Sequence, residues 1–389
     1  MKRVPVLPLA LALVAALILA WPADPAGAIP AFARKHHLSC STCHAPIPRL
    51  RPFGEMFAAN GFRLGDPPQE PEGAVQETGD ELLQLNSDLP LAVRIEGYAA
   101  YKENQEAEAD LETPFVFKLL SGGTIAPKVS YYMYFIIEQG EVTGLEDAFL
   151  LFQKVFGSGV DITFGQFQIS DPMFKRELRL ERSDYEILKR RVGEVKANLT
   201  YDRGLMFSGT LPGEIETVVT VVNGNGIPKG EFDQDSQKNL ALRLARKFGP
   251  VRVGLFGYTG KEEAENGFSD TMTYWGPDLK IAPGGKWELN AQYLERRDDN
   301  PFFLEGSARD VVTRGGFAEL LFFPGGQHGR WALYALYNRI DSDDPAAELE
   351  DVAAGATREI RRNIRFVVEA GHDFDFEESR ASLGVVAAF

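Results

Sequence analysis

Cys40-Ser41-Thr42-Cys43-His44 puts two thiols and an imidazole within one short run. At this C-x-x-C-H spacing each thiol can add to one vinyl group of a porphyrin. The adjacent histidine can then reach the iron from one face as proximal ligand. The chain has 2 cysteines, both in this run. Haem is a one-electron cofactor, so the motif points to electron transfer before any fold is considered. A thioredoxin-like redox pair would open a helix after a strand in a βαβ unit, and nothing around Cys40 has that pattern. Half of a zinc site would need a second Cys/His pair at zinc spacing, and none follows. A structural disulfide is the plain alternative. His44 in register, together with the export signal described below, favours one covalent haem c.

The residues after the motif must position it. Phe53, Met56 and Phe57 follow helical spacing, with Pro48 before them and Asn60-Gly61 as a stop signal. A short helix is expected here, with an apolar face toward the porphyrin. Met56 is the candidate second axial ligand, and a thioether there would raise the potential; a simple packing role is the competing reading. His36 and His37 lie just upstream and can cap the iron, meet a propionate or sit on the surface. His328 and His372 lie among the expected strands and are expected to be unrelated to the iron, unless the haem sits in the pore.

Residues 1–28 read as a secretory signal peptide: Lys2 and Arg3, a mostly apolar stretch to Trp21, then Ala26-Gly27-Ala28 as a small-x-small cleavage site. Residues 29–65 form the haem segment and 66–88, rich in Pro, Glu and Gly, a linker. The segment is too short to cover both faces of a haem by itself, so it is expected to complete its shell against the remainder of the chain. The formal charge of −15 disfavours nucleic acid as a partner, because phosphate binding needs a basic surface.

Residues 89–389 change character. Runs of alternating polarity recur between turn residues, for example 91–101, 115–125, 128–138, 145–156, 160–169, 191–200, 215–223, 239–248, 251–259, 286–296, 311–323, 330–340 and 363–374. In Trp287-Glu288-Leu289-Asn290-Ala291-Gln292-Tyr293 the odd positions are apolar and the even ones polar. One oily and one polar face fit lipid outside and water or a cofactor inside. With 27 Phe, 12 Tyr and 38 Gly, the expected fold is all-β: a transmembrane antiparallel β-barrel of about 16 strands behind a short N-terminal helical haem segment. A soluble periplasmic β-domain is the competitor on composition alone. Arg243, Arg246, Arg252, Arg296, Arg314, Arg330, Arg339 and Arg365 are expected to line the lumen. The final run to Phe389 resembles the closing strand of outer-membrane barrels. The charged stretch 171–191 breaks the strand pattern; it reads as a solvated loop, with a constriction folded into the pore as the alternative.

Several of these residues together resemble a known family. Ala28-Ile29-Pro30-Ala31-Phe32-Ala33-Arg34, the Cys40–His44 motif, Pro48-x-Leu50, Phe53-Gly54-x-x-Phe57 and Gly61-Phe62 resemble the fused monohaem cytochrome–porins of iron-oxidising bacteria. The likeness spans about 35 residues closely and the barrel in architecture only. Where that family usually has Gln-Thr/Tyr-Gly after the Ala-Arg, this chain has Lys35-His36-His37. The resemblance implies Cys40 and Cys43 as thioether positions and His44 as proximal ligand. It also implies an outer-membrane location among lipid, an extracellular donor such as Fe(II), a periplasmic electron-carrier cytochrome as partner, and a candidate Fe(II) oxidase activity. The competing expectations are a solute porin with a structural or regulatory haem segment, and outward transfer to extracellular acceptors.

Overall fold

Along residues 287–293 the buried side chains are the polar ones. Glu288, Asn290 and Gln292 are buried, whereas Trp287 and Tyr293 are 47% and 41% exposed. The same inversion runs along Asn239–Phe248, where Leu240, Leu242 and Leu244 face out and Ala241, Arg243 and Ala245 face in. Strands of this pattern can hide neither face against a second sheet. They bury their polar face by closing on themselves and leave the oily face to lipid.

The computed structural model describes residues 31–65, 71–87, 90–227, 235–306 and 309–389. Its body is a closed antiparallel barrel of sixteen strands. In chain order these are β1 (Leu91–Lys102), β2 (Ala109–Ala126), β3 (Val129–Glu138), β4 (Glu141–Phe152) and β5 (Asp161–Gln168). After a long connection come β6 (Tyr201–Leu211), β7 (Ile215–Val222), β8 (Asn239–Phe248), β9 (Val251–Glu263), β10 (Ser269–Ile281) and β11 (Trp287–Asp298). The last five are β12 (Val311–Phe322), β13 (Trp331–Ser342), β14 (Leu349–Arg361), β15 (Ile364–Asp373) and β16 (Glu378–Ala388). Each strand pairs with the next, and β16 returns to β1 from Arg380↔Lys102 to Ala388↔Arg94. Closure leaves no unpaired edge, which the bilayer core requires. The backbone groups of Phe389 continue the seam against Val93. No described helix is long and apolar enough to cross a membrane; the strands make the crossing.

The two mouths differ. One carries mostly short turns, such as 127–128, 249–250 and 362–363, together with both ends of the barrel sequence. The other carries the longer connections, among them 103–108, 169–200, 223–238 and 299–310.

The connection 169–200 overturns the solvated-loop reading, because it fills the lumen. Ile169, Met173, Phe174, Tyr185, Ile187, Leu188, Val195 and Leu199 are buried in one cluster with wall residues such as Phe256, Met272, Leu294 and Phe317. Its charges meet the walls on several sides: Lys118 on β2 pairs with Glu177, Arg182 with Glu112, and Arg296 on β11 donates to Ala197 O at 3.3 Å. Charge density misled the sequence reading because the polar lumen can pair charges as water does. Residues 191–200, expected as a strand, belong to this insert. Its one-turn helix is Glu186–Lys189.

Three strands escaped the alternation test. Polar and glycine residues break the pattern in β6, where a Cβ on Gly204 would lie 2.0 Å from Val221 O. β10 contains Gly276-Pro277, where pairing to β11 lapses between Trp275 and Asp278. β14 is Ala-Ala-Gly-Ala at its centre. The arginine expectation divides as well. Arg243, Arg252, Arg296 and Arg365 face the lumen, but Arg246, Arg314 and Arg339 stand on the outer face near strand ends and Arg330 in a turn. There a guanidinium can reach the aqueous interface while its stem stays on the barrel wall; Arg246 stacks over Phe248 at 5.0 Å.

Candidate functional site

Three short helices sit in the short-turn mouth: α1 (Ala31–His36), α2 (Cys40–Cys43) and α3 (Pro52–Ala59). Ser39 caps α2 by accepting from Ser41 N. Cys40 and Cys43 stand three residues apart on this single turn, so both thiols share a face; both are free and half-buried. Burial pushes both thiols above the ordinary range. That opposes a thioredoxin-like pair, whose reactive cysteine is acidified.

His44 leaves the end of α2 and enters a tight return. His44 N donates to Cys40 O at 2.9 Å, Ala45 N to Arg49 O at 2.9 Å and Arg51 N to Cys43 O at 2.8 Å. The imidazole Nδ1 lies 3.0 Å from Pro48 O. A carbonyl can only accept, so this contact puts the proton on Nδ1 and leaves Nε2 with its lone pair for a metal. Burial holds the ring's pKa below its ordinary value, which favours the neutral, ligating form. Two free thiols on one turn, a neutral imidazole beside them and its Nδ1 tied back to the chain fit a covalent haem. Gly54 belongs to the same cradle: a Cβ there would lie 2.5 Å from Cys43 O, so only glycine lets α3 rest on α2.

α3 begins with Pro52 at its first turn, and it ends as the sequence expects at Asn60 and Gly61, the latter at φ +65. Its apolar face meets protein. Phe57 is buried against Phe32 (5.4 Å) and Phe62 (6.1 Å), and Phe62 continues to Tyr132 on β3 at 5.7 Å. Ser130 donates to Gly61 O at 2.8 Å. Met56 projects from the opposite face, 54% exposed. His36 is buried with its ring edge-on to Phe57 at 5.1 Å. His37 is exposed at φ 53, in the left-handed position that ends α1.

Arginines fasten the segment. Arg49 reaches into the lumen and pairs with Glu288 on β11 and, at 3.4 Å, with Glu319 on β12. Arg51 faces His328 Nδ1 at 2.6 Å and donates to Gln327 O. His328 braces the motif's loop through Arg51, while His372 lies at the far mouth on Ser379. Glu55 pairs with Lys280 at 3.0 Å. Arg63 donates to Gln153 at 2.8 Å. A ribbon pairing Val75–Gln76 with Leu85–Asn86 then leads to β1. Residues 66–70 and 88–89 of the expected linker, and the expected signal peptide, lie outside the described residues.

The lumen insert meets the segment's anchor. Tyr185 donates to Glu319 at 2.7 Å and stacks on Phe317, centroids 4.0 Å apart. Asn290 also donates to Glu319. Sequence reasoning missed Arg49, Glu181, Tyr185 and Glu319. The available signal was weak: acidic residues at inward strand positions, and an arginine immediately after the proline that holds His44. Among the described residues, no group of three or more His, Cys, Asp or Glu side chains is arranged to hold a bare metal ion.

No protein-family model matches the sequence, and no curated protein matches it. Solved structures match the fold. An anion-selective porin from Comamonas acidovorans is 10% identical, with 77% of this chain and 98% of that one covered and a TM-score of 0.58. Salmonella typhi OmpF, in complex with daunomycin, is 13% identical over 81% of this chain and 100% of that one, with a TM-score of 0.56. Outer-membrane expressed OmpT of Vibrio cholerae is 10% identical over 81% and 100%, with a TM-score of 0.54. At such identities the likeness is one of fold: this chain has the barrel of outer-membrane porins.

Proposed function

We propose that this barrel works in the outer membrane as a cytochrome–porin, passing electrons through one c-type haem between an extracellular donor, Fe(II) being the chemical type, and a periplasmic carrier cytochrome. The observation that carries the reading is the Nδ1 contact of His44 to Pro48 O beside two free thiols on one helical turn. Cys40 and Cys43 would hold the porphyrin by thioethers and His44 would bind the iron through Nε2. Bound there, haem supplies one-electron transfer. Met56 would be the thioether available to the iron as a further ligand. The short-turn mouth faces the periplasm, as short turns do in outer-membrane barrels. That orientation puts the haem segment within reach of a soluble carrier.

The chain's own residues set the conditions. The return 44–51 keeps His44 neutral and aimed. The Arg49 and Arg51 contacts fix the segment in the mouth, and the lumen insert keeps bulk water from running straight through. A solute porin with a structural haem segment is the competing reading, and the porin-like fold favours it. The insert opposes it, because apolar side chains are packed where a solute would pass.

A visible spectrum of the purified protein before and after Fe(II), with a pyridine haemochrome assay, tests the proposal. A c-type spectrum reduced by Fe(II) supports inward transfer. A c-type spectrum indifferent to Fe(II) but reduced by dithionite moves the function to another donor or to outward transfer. No covalent haem ends the cytochrome reading.

A further inference from the structure

The lumen holds more carboxyls than cations where the insert meets the haem segment. Arg49 and Lys280 (3.3 Å) both face Glu288, and Arg49 also faces Glu319. Glu181 of the insert is the third carboxyl of this group: it faces Glu319, and it is 5% exposed. Two cations can balance two carboxylates; the third has no countercharge. The other groups around Glu181 do not supply one. Arg179 is engaged by Asp184 at 3.0 Å. Arg365 spends a donor on Leu180 O and is drawn to Glu96. Tyr185, Tyr334 and Glu369 add no positive charge. Glu181 Oε2 accepts from Leu180 N at 2.9 Å, whereas buried Oε1 has no hydrogen-bond partner among the described residues. A carboxylate oxygen in that position is costly; a hydroxyl there, donating to Glu319, satisfies both groups.

We propose that Glu181 and Glu319 form a pair that shares a single proton and is linked through Arg49 to the loop that holds His44, so that this proton is taken up when the segment's redox centre gains an electron. The inference rests on the haem reading above. The link is short in the chain: the residue that pairs with Glu319 directly follows Pro48, whose carbonyl fixes the imidazole. The balance is simple. One electron arrives from a reductant such as Fe(II) or an electrode. One proton leaves water and bonds to a carboxylate oxygen of the pair, and no other bond changes. Burial and the neighbouring Glu319 carboxylate push the Glu181 pKa well above the ordinary carboxyl range, which moves proton uptake by the pair toward neutral pH. Greater negative charge at the redox centre favours the protonated pair, so the midpoint potential falls as pH rises.

Spectroelectrochemical titration of the full chain from pH 5 to 8 tests the link, and infrared spectroscopy of the protonated-carboxyl stretch tests the pair. The wild type is expected to show a potential that falls with pH and a carboxyl band between pH 5 and 8 that strengthens on reduction. Glu181→Gln keeps the shape of the side chain and is expected to flatten the pH dependence and remove the band; Glu319→Gln should do the same. An unchanged slope in both variants overturns the link while leaving the haem reading intact. A wild type without covalent haem fails at its visible spectrum, which overturns the link through the haem reading. In that case the infrared band, read also in a Cys40→Ala/Cys43→Ala chain, still decides the pair, and its absence overturns the pair.

Discussion

At the scale of single residues the proposed function rests on a few atoms of Cys40, Cys43 and His44. Replacing Cys40 and Cys43 together by alanine removes the thioether positions but none of the barrel's own bonding. Such a chain is expected to lose covalent haem while keeping heat-modifiable gel mobility; retention of haem through denaturation would contradict the assignment. Arg49→Leu strands Glu288 and Glu319 in the lumen without their guanidinium. Breaking one side of a buried ion pair costs about 3–5 kcal/mol. The expected result is earlier protease cleavage of residues 31–65 with the barrel intact. Gly54→Val is a sharper steric test, since a Cβ would have to share space with Cys43 O. Misplaced α2 and α3 should lower haem occupancy in the purified protein. The motif itself was legible because its chemistry is local. Gly54 and Arg49 were not, because their partners are a backbone carbonyl on another helix and carboxylates more than two hundred residues away.

At the scale of elements two segments occupy the barrel: the helical segment carrying Cys40–His44 sits in one mouth, and the insert 169–200 fills the lumen from the other. Deleting residues 172–196 is expected to raise single-channel conductance severalfold over a poorly conducting wild type; equal conductance would mean that the insert does not obstruct the pore. The insert's docking also carries a pH signature. Burial works to raise the Asp184 pKa, but Arg179 and Arg176 outweigh it and hold the carboxyl well below its ordinary value of 3.8. A group depressed in the folded state stabilises above its unfolded pKa and loses that contribution as pH falls through the folded one. Conductance is therefore expected to rise below about pH 4, and Asp184→Asn should show the higher conductance already at neutral pH. The solvated-loop expectation failed here because charge alone does not separate bulk water from a polar lumen.

At the scale of the whole molecule the barrel is an inside-out protein, with its polar side chains enclosed and Leu240, Leu242, Leu255 and Val253 turned outward. An arginine on this lipid face near the bilayer midplane costs about 2–4 kcal/mol. Leu255→Arg should therefore lower the urea midpoint of unfolding in lipid vesicles, whereas a charge on the outer face near a strand end, where Arg339 already stands, should cost little.

The sequence by itself determined the short helix after the Cys40–His44 run, the all-β class and a strand number near sixteen, because helix stop signals and a period of two are local properties. It misassigned 191–200 and passed over β6, β10 and β14, where glycine, proline or small residues blur the alternation. Only the tertiary structure decided that the Cys40–His44 segment occupies the short-turn mouth, that 169–200 lies inside the barrel, and that Arg49, Glu319, Tyr185 and Glu181 meet. Ring closure brings together residues that no sequence spacing relates, and a polar interior makes the same charges read as surface until the walls around them are known.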